Sequence, residues 1–444
     1  MFQTFRNAWK IIDLRKKILF TIFIIIIFRL GAALPSPFVD ATILAGQFED
    51  QTMIFGFLDL ITGGSFSQAT IFALGVTPYI NASIIIQLLQ VVIPALERWS
   101  KEGEEGRKKI NLVTKFTSLA LAIGLSVVYY FLLKNPPKGE SPLQYTEGFA
   151  GWFSAIAIIA GLTAGAILIN WLADQIDAKG IGSGMSLMIF AGIISGFAGA
   201  GMQLTRYFQV AAGTFEVDGV VQDAQPWYYV IVPVVLVIFA VMFFLIIITN
   251  AAERRIPVQY AKRVVGRKMY GGQNSNIPIK VNMTGVLPVI FASAFLSLPG
   301  TIQGFAKITT GFWASFLGFF TPDNWGYAVL YAVLIIGFNY FYVTIQYNPI
   351  QMANDLRKNS GMIPGIRPGQ PTTTFISKVI SKITFIGGIV LMLIAITPIV
   401  ITKLTEVQVP LGGTSMLIVV GVALEISNTL ESYMLMRHHK GFLE

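Results

Sequence analysis

The chain has 444 residues, of which 54% are hydrophobic and 12% are charged, and its formal net charge is +9. In a soluble protein of this length about a quarter of the residues would be charged, so most of the surface of this protein must face something other than water. The composition therefore predicts a membrane protein, and the absence of cysteine excludes disulfides and thiolate chemistry.

Ten stretches are long and apolar enough to cross a bilayer, which takes roughly 20 residues per helix. They lie near residues 18–34, 72–93, 116–133, 152–172, 185–203, 227–249, 284–303, 326–346, 383–401 and 414–434. The first ends in Gly31-Ala32-Ala33, which resembles a signal-peptide cleavage site. Because Arg29 interrupts this run and nine further spans follow, we interpret it as an uncleaved span.

The basic residues are distributed unevenly between the two sides that these spans define. Twenty-six of the 32 Lys and Arg residues fall in the termini and the even-numbered connections, and five fall in the odd-numbered ones. The positive-inside rule therefore predicts that both termini are cytosolic. This asymmetry accounts for the positive net charge without a nucleic-acid ligand.

The stretch GFLDLITGGSFSQATIFALG, residues 56–75, is apolar but is interrupted in its middle. Gly63-Gly64 and the polar residues Ser65, Ser67 and Gln68 break it just before the second span. Non-helical backbone at membrane depth is tolerated only inside protein or beside water. The interruption is therefore unusual for a spanning helix and requires an explanation.

The spans divide evenly around the outer loop at 204–226, with five before it and five after it. An odd number per half means that two similar halves would be inverted relative to one another, as in many proteins that open at a central seam. Residue matching along the chain reveals no repeat. We therefore expect an N-terminal half, 1–203, and a C-terminal half, 204–444, with cytosolic loops 250–283 and 347–382 in the second.

The spans themselves offer few residues for chemistry. Their ionisable residues are Arg29 and Glu425, with Glu431 at the edge of span ten, and no paired carboxylates lie at matched depth as an ion-coupled transporter would require. There is no HExxH motif and no P-loop, and both histidines lie in the C-terminal tail, which argues against an intramembrane protease. We expect no enzymatic activity, no metal and no cofactor; a partner would supply any energy.

Two of the predicted cytosolic loops carry more than topology requires. Loop 250–283 has seven basic residues with tyrosine and methionine between them, and loop 347–382 has a proline- and glycine-rich turn around Arg367. Proline and glycine fix a particular turn geometry. Exposed arginine beside aromatic residues is typical of a docking surface, and clustered arginine also suits RNA phosphates.

Six motifs in the chain together resemble the SecY family of bacterial protein-translocation channel subunits. The motifs are IFALGVTPYINASIIIQLL, KEGEEGRKKI, GIGSGMSLMIFAGI, YAKRVVGRKMYGGQ, IPIKVNMTGVLPVIFASA and IPGIRPGQPT. Their order and length match the family over essentially the whole chain. The resemblance implies an all-α polytopic membrane protein, with ten transmembrane helices in two inverted pseudo-symmetric five-helix halves around a central pore, and with a re-entrant plug helix.

The implied function is the central channel of the Sec protein translocase. Such a channel conducts unfolded secretory polypeptides across the plasma membrane, and it releases signal sequences and membrane segments sideways into lipid through a seam between spans two and seven. The interrupted segment near 56–68 would be the plug in the outer funnel. An ion-coupled secondary transporter is the alternative function.

The family's functional residues carry over by motif. The pore ring corresponds to Ile80, Ile84, Met185, Ile189, Ile290 and Ile418; the plug to Gly56, Leu58, Ile61, Gly63, Gly64 and Phe66; and the lateral gate to Ser83 and Gln87. Docking of the SecA ATPase and the ribosome is assigned to Arg254, Arg255, Lys262, Arg263, Arg267, Lys268, Arg357, Lys358 and Arg367. Met185 departs from the isoleucine or valine usual in the ring, and Leu417 is a neighbouring alternative to Ile418.

The resemblance also implies partners and a location. SecE and SecG would be the membrane partners, SecA and the ribosome would bind the cytosolic loops, and secretory preproteins with their signal sequences would be the cargo. The expected location is the bacterial plasma membrane, with the lipid bilayer meeting the open seam.

Overall fold

The computed structural model describes most of the chain. The described residues are 2–40, 43–44, 59, 62–136, 141–214, 216–217, 220–221, 225–260, 263–265, 268–270, 274–306, 312–320, 324–405, 407 and 412–440. Within them the helices are α1 (Phe2–Lys10), α2 (Ile12–Ala32), α3 (Thr77–Val92), α4 (Pro94–Lys101), α5 (Glu104–Lys134), α6 (Gly148–Lys179), α7 (Gly184–Ala212), α8 (Tyr228–Ala251), α9 (Leu287–Ala306), α10 (Phe312–Gly318), α11 (Trp325–Gln346), α12 (Pro349–Lys358), α13 (Gln370–Thr405) and α14 (Gly413–Lys440). The strands are β1 (Glu216–Val217), β2 (Val220–Val221), β3 (Glu253–Tyr260), β4 (Arg263–Val265), β5 (Lys268–Tyr270), β6 (Asn274–Lys280) and β7 (Gly361–Met362).

Each of the ten predicted apolar stretches contains a helix. Among the described residues, seven helical segments are by themselves long and apolar enough to cross a membrane, and α3 with α4 forms a further, bent pair. Helices α2 and α9 cover the other two predicted spans, the first and the seventh. The arrangement of apolar helices along the chain therefore agrees with the sequence prediction.

The second predicted span is shorter than expected. Residues 71–76 form turns rather than helix, and α3 begins at Thr77 with Pro78 in its first turn, where a missing backbone N–H has no cost. At its other end, α3 meets α4 at an angle of 100° at Ile93, immediately before Pro94. Proline disfavours a helical conformation in the residue before it, which explains the break.

Three main clusters of buried apolar side chains organise the helices. One packs α5 and α6 against the segment that precedes α3, and it includes Phe66 and Leu162. A second packs α8, α9, α11, α13 and α14 together, entirely within the predicted C-terminal half. The third joins residues of both predicted halves, from α2 and α7 on one side to α9 and α14 on the other.

Buried polar side chains in the helices, and in the bend just before α9, bond to neighbouring helices. Thr284 Oγ1 donates to Asn339 Oδ1 over 2.7 Å, and Asn339 Nδ2 donates to the Thr384 carbonyl over 2.8 Å. Ser126 and Thr163 share a hydroxyl–hydroxyl bond of 3.0 Å. Interhelical hydrogen bonds of this kind hold membrane helices in fixed register, because lipid offers their polar groups no substitute.

Strands from the predicted loops 250–283 and 347–382 form one sheet. Strands β3, β6 and β7 form an antiparallel sheet in the order β6-β3-β7, with Ile256 opposite Ile277. Successive side chains point to opposite faces of a strand. Ile256 and Val258 are accordingly buried in a cluster with α11, α12 and α13, whereas Arg255, on the opposite face of β3, is exposed.

Candidate functional site

The six predicted ring residues meet in the central cluster. Ile189, Ile290 and Ile418 are buried there, and the partly buried side chains of Ile80, Ile84 and Met185 pack against the same cluster. Four helices from both predicted halves supply these side chains. The structure thus brings together six residues that are separated by up to several hundred positions in the sequence, in a group that is apolar throughout.

Helical spacing explains how one helix supplies two members. Ile80 and Ile84 lie four residues apart on α3, and Met185 and Ile189 lie four apart on α7, so each pair shares a helix face. On α14 the choice between Leu417 and Ile418 follows from packing. Leu417 packs in the cluster of the C-terminal half, whereas Ile418 packs with the other five.

A repeat that residue matching missed is visible once the sequences at the starts of α3 and α9 are aligned. Residues 75–83 read GVTPYINAS and residues 285–293 read GVLPVIFAS, so both follow the pattern G-V-x-P-x-I-x-A-S. Gly75 and Gly285 both have left-handed backbone, with φ of 53° and 64°. Ile80 and Ile290 occupy the same place in the pattern, so the two predicted halves contribute equivalent members of the predicted ring.

The same relation holds for α7 and α14. Residues 184–193 read GMSLMIFAGI and residues 413–422 read GTSMLIVVGV, and Ile189 and Ile418 are equivalent. A Cβ on Gly184 would overlap the Ala173 carbonyl, and a Cβ on Gly413 would overlap the Ile394 carbonyl. Both helices therefore begin with a glycine because each packs directly on the backbone of the preceding helix.

The repeat also explains why the halves contribute unequally to the ring. The positions equivalent to Ile84 and Met185 are Ala294 and Thr414, which are much smaller. The N-terminal half therefore supplies four of the six bulky side chains, and the C-terminal half supplies two.

The predicted plug is only partly within the described residues. Gly56, Leu58 and Ile61 lie outside them, while Gly63, Gly64 and Phe66 lie in a series of turns. Phe66 is buried against Tyr129, whose hydroxyl donates to the Phe66 carbonyl over 2.6 Å. Residues 63–68 form turns packed on α5, residues 59 and 62 just before them are helical, and the rest of the predicted plug lies outside the described residues.

Gly63, in the predicted hinge of this segment, lies close to two helices. Ser195 Oγ of α7 donates to the Gly63 carbonyl over 3.3 Å. Arg29 of α2 turns its guanidinium to the same place, where Nη1 is buried with no hydrogen-bond partner among the described residues. With φ of 68° at Gly63 and 86° at Gly64, the backbone takes a conformation that other residues rarely adopt.

The predicted gate residues form a polar chain that reaches the other half of the protein. Gln87 Nε2 donates to Ser83 Oγ over 3.1 Å within α3, and Tyr342 Oη of α11 donates to Gln87 Oε1 over 2.9 Å. Sequence reasoning expected the seam to face span seven and missed Tyr342, which lies on span eight. Span eight carries four tyrosines and Asn339, so no sequence signal singled out Tyr342.

Five of the nine predicted docking residues are seen to be exposed. Arg254, Arg255, Arg357, Lys358 and Arg367 face solvent, and Arg255 Nε pairs with Glu253 Oε1 over 2.7 Å. Arg263 and Lys268 lie in the short strands β4 and β5, while Lys262 and Arg267 lie outside the described residues.

The turn before Arg367 has the geometry that its sequence predicts. The Ile366 N–H donates to the Ile363 carbonyl over 3.1 Å, and Gly365 has φ of 81°. Proline followed by glycine between these residues is the pattern of a type II β-turn. The turn presents Arg367 to solvent just before α13 begins.

No group of histidine, aspartate and glutamate side chains that could hold a metal ion occurs in the part of the chain that the structure describes.

Comparison with known proteins agrees with the resemblance seen in the motifs. The model of the SecY family matches residues 70–427. The chain belongs to the SecY family. It is similar to the protein translocase subunit SecY of Corynebacterium glutamicum, with 38% identity covering 99% of both chains, and to that of Halalkalibacterium halodurans, with 39% identity covering 100% of both.

Solved structures confirm the fold class of this SecY-family protein. It is similar to a protein-conducting channel with a TM-score of 0.61 at 18% identity, covering 94% of this chain and 92% of the other. It is also similar to Sec61 in the canine ribosome–channel complex from the endoplasmic reticulum, with a TM-score of 0.59 at 17% identity and the same coverage of both chains. The predicted polytopic, all-α channel fold with membrane-spanning helices is therefore correct.

Proposed function

We propose that the chain is the central channel subunit of a Sec protein translocase, which conducts unfolded polypeptides across a membrane and releases apolar segments sideways into lipid. One observation carries the proposal beyond family membership. Six bulky apolar side chains from both predicted halves converge in one cluster, and an internal repeat relates four of them in two pairs. A narrow apolar constriction resists ions because it cannot replace their hydration, while flexible side chains can seal around a passing chain.

The proposed channel has a seam and a plug. Helix α3 on one side and helices α9 and α11 on the other would part to admit a signal sequence to lipid, with Ser83 and Gln87 at the seam. The segment around residues 56–68 would close the pore from the outer side, with Gly63-Gly64 as its hinge. The contacts of Gly63 with α2 and α7 support a docked position for this hinge.

The proposed orientation places both termini and the β3-β6-β7 sheet in the cytosol of a bacterium, with the helices in its plasma membrane. The charge asymmetry of the connections supports it. The exposed arginines of this face would then meet SecA during export and the ribosome during membrane-protein insertion. A solved relative is a Sec61 channel in a ribosome–channel complex, which supports a ribosome as partner. SecE and SecG are the proposed membrane partners.

Family membership favours this channel over the ion-coupled transporter considered above. Reconstitution provides the test: the purified protein is placed in vesicles with SecE and SecG, and SecA, ATP and a secretory preprotein are added outside. We expect preprotein to become protease-protected inside the vesicles. Active SecA that binds these vesicles yet leaves all preprotein accessible to protease would refute the proposed function.

A further inference from the structure

We propose that Tyr342, through its hydrogen bond to Gln87, is a latch on the lateral seam that sets how apolar a signal sequence must be to open it. The inference rests on the proposed function, since a latch on a seam matters only if the seam opens. It adds a residue of span eight to the gate and assigns it a role in substrate selection.

The latch joins the two halves directly. Tyr342 Oη of α11 donates to Gln87 Oε1 of α3 over 2.9 Å, across a sequence separation of 255 residues. The other end of the Gln87 amide donates to Ser83 Oγ on its own helix, over 3.1 Å. This second bond orients the amide so that its oxygen faces the phenol, and it survives when the halves separate because both partners belong to α3.

The aromatic side chain of Tyr342 packs against α9, the helix that carries Ile290. Its centroid lies 4.8 Å from that of Phe291 on α9, and Phe291 lies 5.8 Å from Phe338 of α11. Phe291 is the neighbour of Ile290 in the apolar ring. The Phe291 ring, itself packed on Phe338, therefore holds the phenol between α9 and α11, so that the bond to Gln87 depends on the relative position of α3, α9 and α11.

The position of the latch along the helices suits this role. Gln87 and Tyr342 both lie in the last two turns of their helices, and Gln87 follows Ile84 by about one turn. With the proposed orientation, a segment that arrives from the cytosol reaches the latch before it reaches the ring. Opening the seam to lipid breaks the bond between the Tyr342 hydroxyl and the Gln87 amide oxygen, and lipid offers neither group water in exchange.

The size of the effect follows from interhelical hydrogen bonds in other membrane proteins. Loss of one such bond changes an equilibrium between packed and separated helices by about threefold to tenfold. On insertion scales this is about the contribution of one to two leucine residues in an apolar helix. A signal sequence must therefore be more apolar by that amount to open the latched seam than to open an unlatched one.

The test uses a series of preproteins whose signal sequences contain increasing numbers of leucine in place of alanine. Translocation into vesicles is measured for the wild type and for Tyr342→Phe, which keeps the ring and removes only the hydroxyl. We expect the variant to reach half-maximal translocation with one to two fewer leucines, and to transport the least apolar transported substrate about threefold to tenfold faster. The most apolar signals should be transported equally by both.

Tyr340→Phe is the matched control. Tyr340 lies on the same helix, and its hydroxyl donates to the Ser381 carbonyl of α13 over 3.3 Å, within one half of the protein. Its removal should leave the leucine threshold unchanged. Gln87→Met removes the other partner of the latch, and the double variant Tyr342→Phe/Gln87→Met should shift the threshold no further than either single variant.

The outcomes separate the latch from the channel. If the wild type transports strongly apolar signals but Tyr342→Phe has the wild-type threshold, or if the two single shifts add, the latch is refuted and the channel stands. If the wild type transports no member of the series while active SecA is bound, the proposed function itself fails. Equal amounts and equal thermal unfolding of the variants in detergent ensure that the threshold reflects gating rather than loss of fold.

Discussion

Replacing Gly63 by alanine adds one methyl group where the segment between α2 and α3 touches α7. The new Cβ would lie 2.5 Å from Ser195 Oγ and 2.7 Å from both Arg29 Nη1 and the Gly192 carbonyl oxygen. The two side chains can rotate away, but the Gly192 carbonyl belongs to a helix backbone. The segment must therefore withdraw by roughly 0.7 Å to restore ordinary van der Waals contact, which also stretches the Ser195–Gly63 hydrogen bond.

Gly64→Ala is the control for backbone strain. Gly64 also has left-handed backbone, with φ of 86°, but a Cβ there would meet nothing within 4 Å. Left-handed backbone costs an alanine about 1–2 kcal/mol at either position. The crowding at Gly63 adds about 1–3 kcal/mol, which is the usual cost of forcing a methyl group into a packed site. The docked hinge should therefore weaken by roughly fivefold to 150-fold more in Gly63→Ala than in Gly64→Ala.

The assay is resting ion flux through vesicles that contain the channel and no substrate. We expect Gly63→Ala to leak more than Gly64→Ala, which carries the backbone strain alone, while both variants still transport preprotein. Equal flux in the two variants would refute the reasoning, because it would mean that the contacts of Gly63 with α2 and α7 do not hold the plug closed.

Two further substitutions test the ring scaffold and the docking surface. Gly184→Ala should lower the stability of the purified protein by about 1–3 kcal/mol in thermal unfolding, because the new Cβ overlaps the Ala173 carbonyl. The control is Gly196→Ala on the same helix, where a Cβ meets nothing within 4 Å and should not destabilise the protein. An equal effect of both would contradict the packing argument. Arg367→Glu should impair SecA-driven transport without reducing the amount of assembled protein, while Lys378→Glu, also exposed, should leave transport unchanged. Equal losses of assembled protein and of transport in Arg367→Glu would assign that arginine a structural role.

The apolar spans were predictable from the sequence because hydropathy is a local signal, whereas the six ring residues were carried over by motif from the SecY family. Span length follows from hydropathy, and the four-residue spacing of Ile80 and Ile84 follows from helical periodicity. The start of α3 was placed five residues too early because hydropathy does not register the turns at 71–76. There, the left-handed Gly75 and the proline at position 78 set the boundary.

The sheet in loop 250–283 was not predicted, and the reason is local. Strands β3 and β6 contain Pro257 and Pro278, and proline within a short run argues against a strand. The structure accommodates them because β7 pairs with β3 only at Gln259 and Tyr260, so most of β3 has one unpaired edge. The burial of Ile256 and Val258 on the helices below then stabilises the sheet.

Contacts between distant parts of the chain were beyond sequence reasoning. Tyr342 meets Gln87 only because two halves of the protein pack face to face, and no spacing rule connects residues 255 positions apart. The repeat that relates Ile80 to Ile290 was present in the sequence. It became recognisable only when the structure fixed where α3 and α9 begin, since gapless matching over the whole chain has no such reference point.

The central claim is that the six-residue ring surrounds a passing polypeptide, and site-specific photo-cross-linking tests it most directly. A secretory preprotein is stalled midway through the reconstituted channel, and the sample is irradiated. Each channel variant carries one photoprobe, at residue 80, 84, 189 or 290, or at Val237 or Val329, which are 62% and 65% exposed on the outside of the helices. The account predicts cross-links to the stalled chain from the four ring positions and none from the two outer ones. Cross-links from the outer positions alone would contradict it.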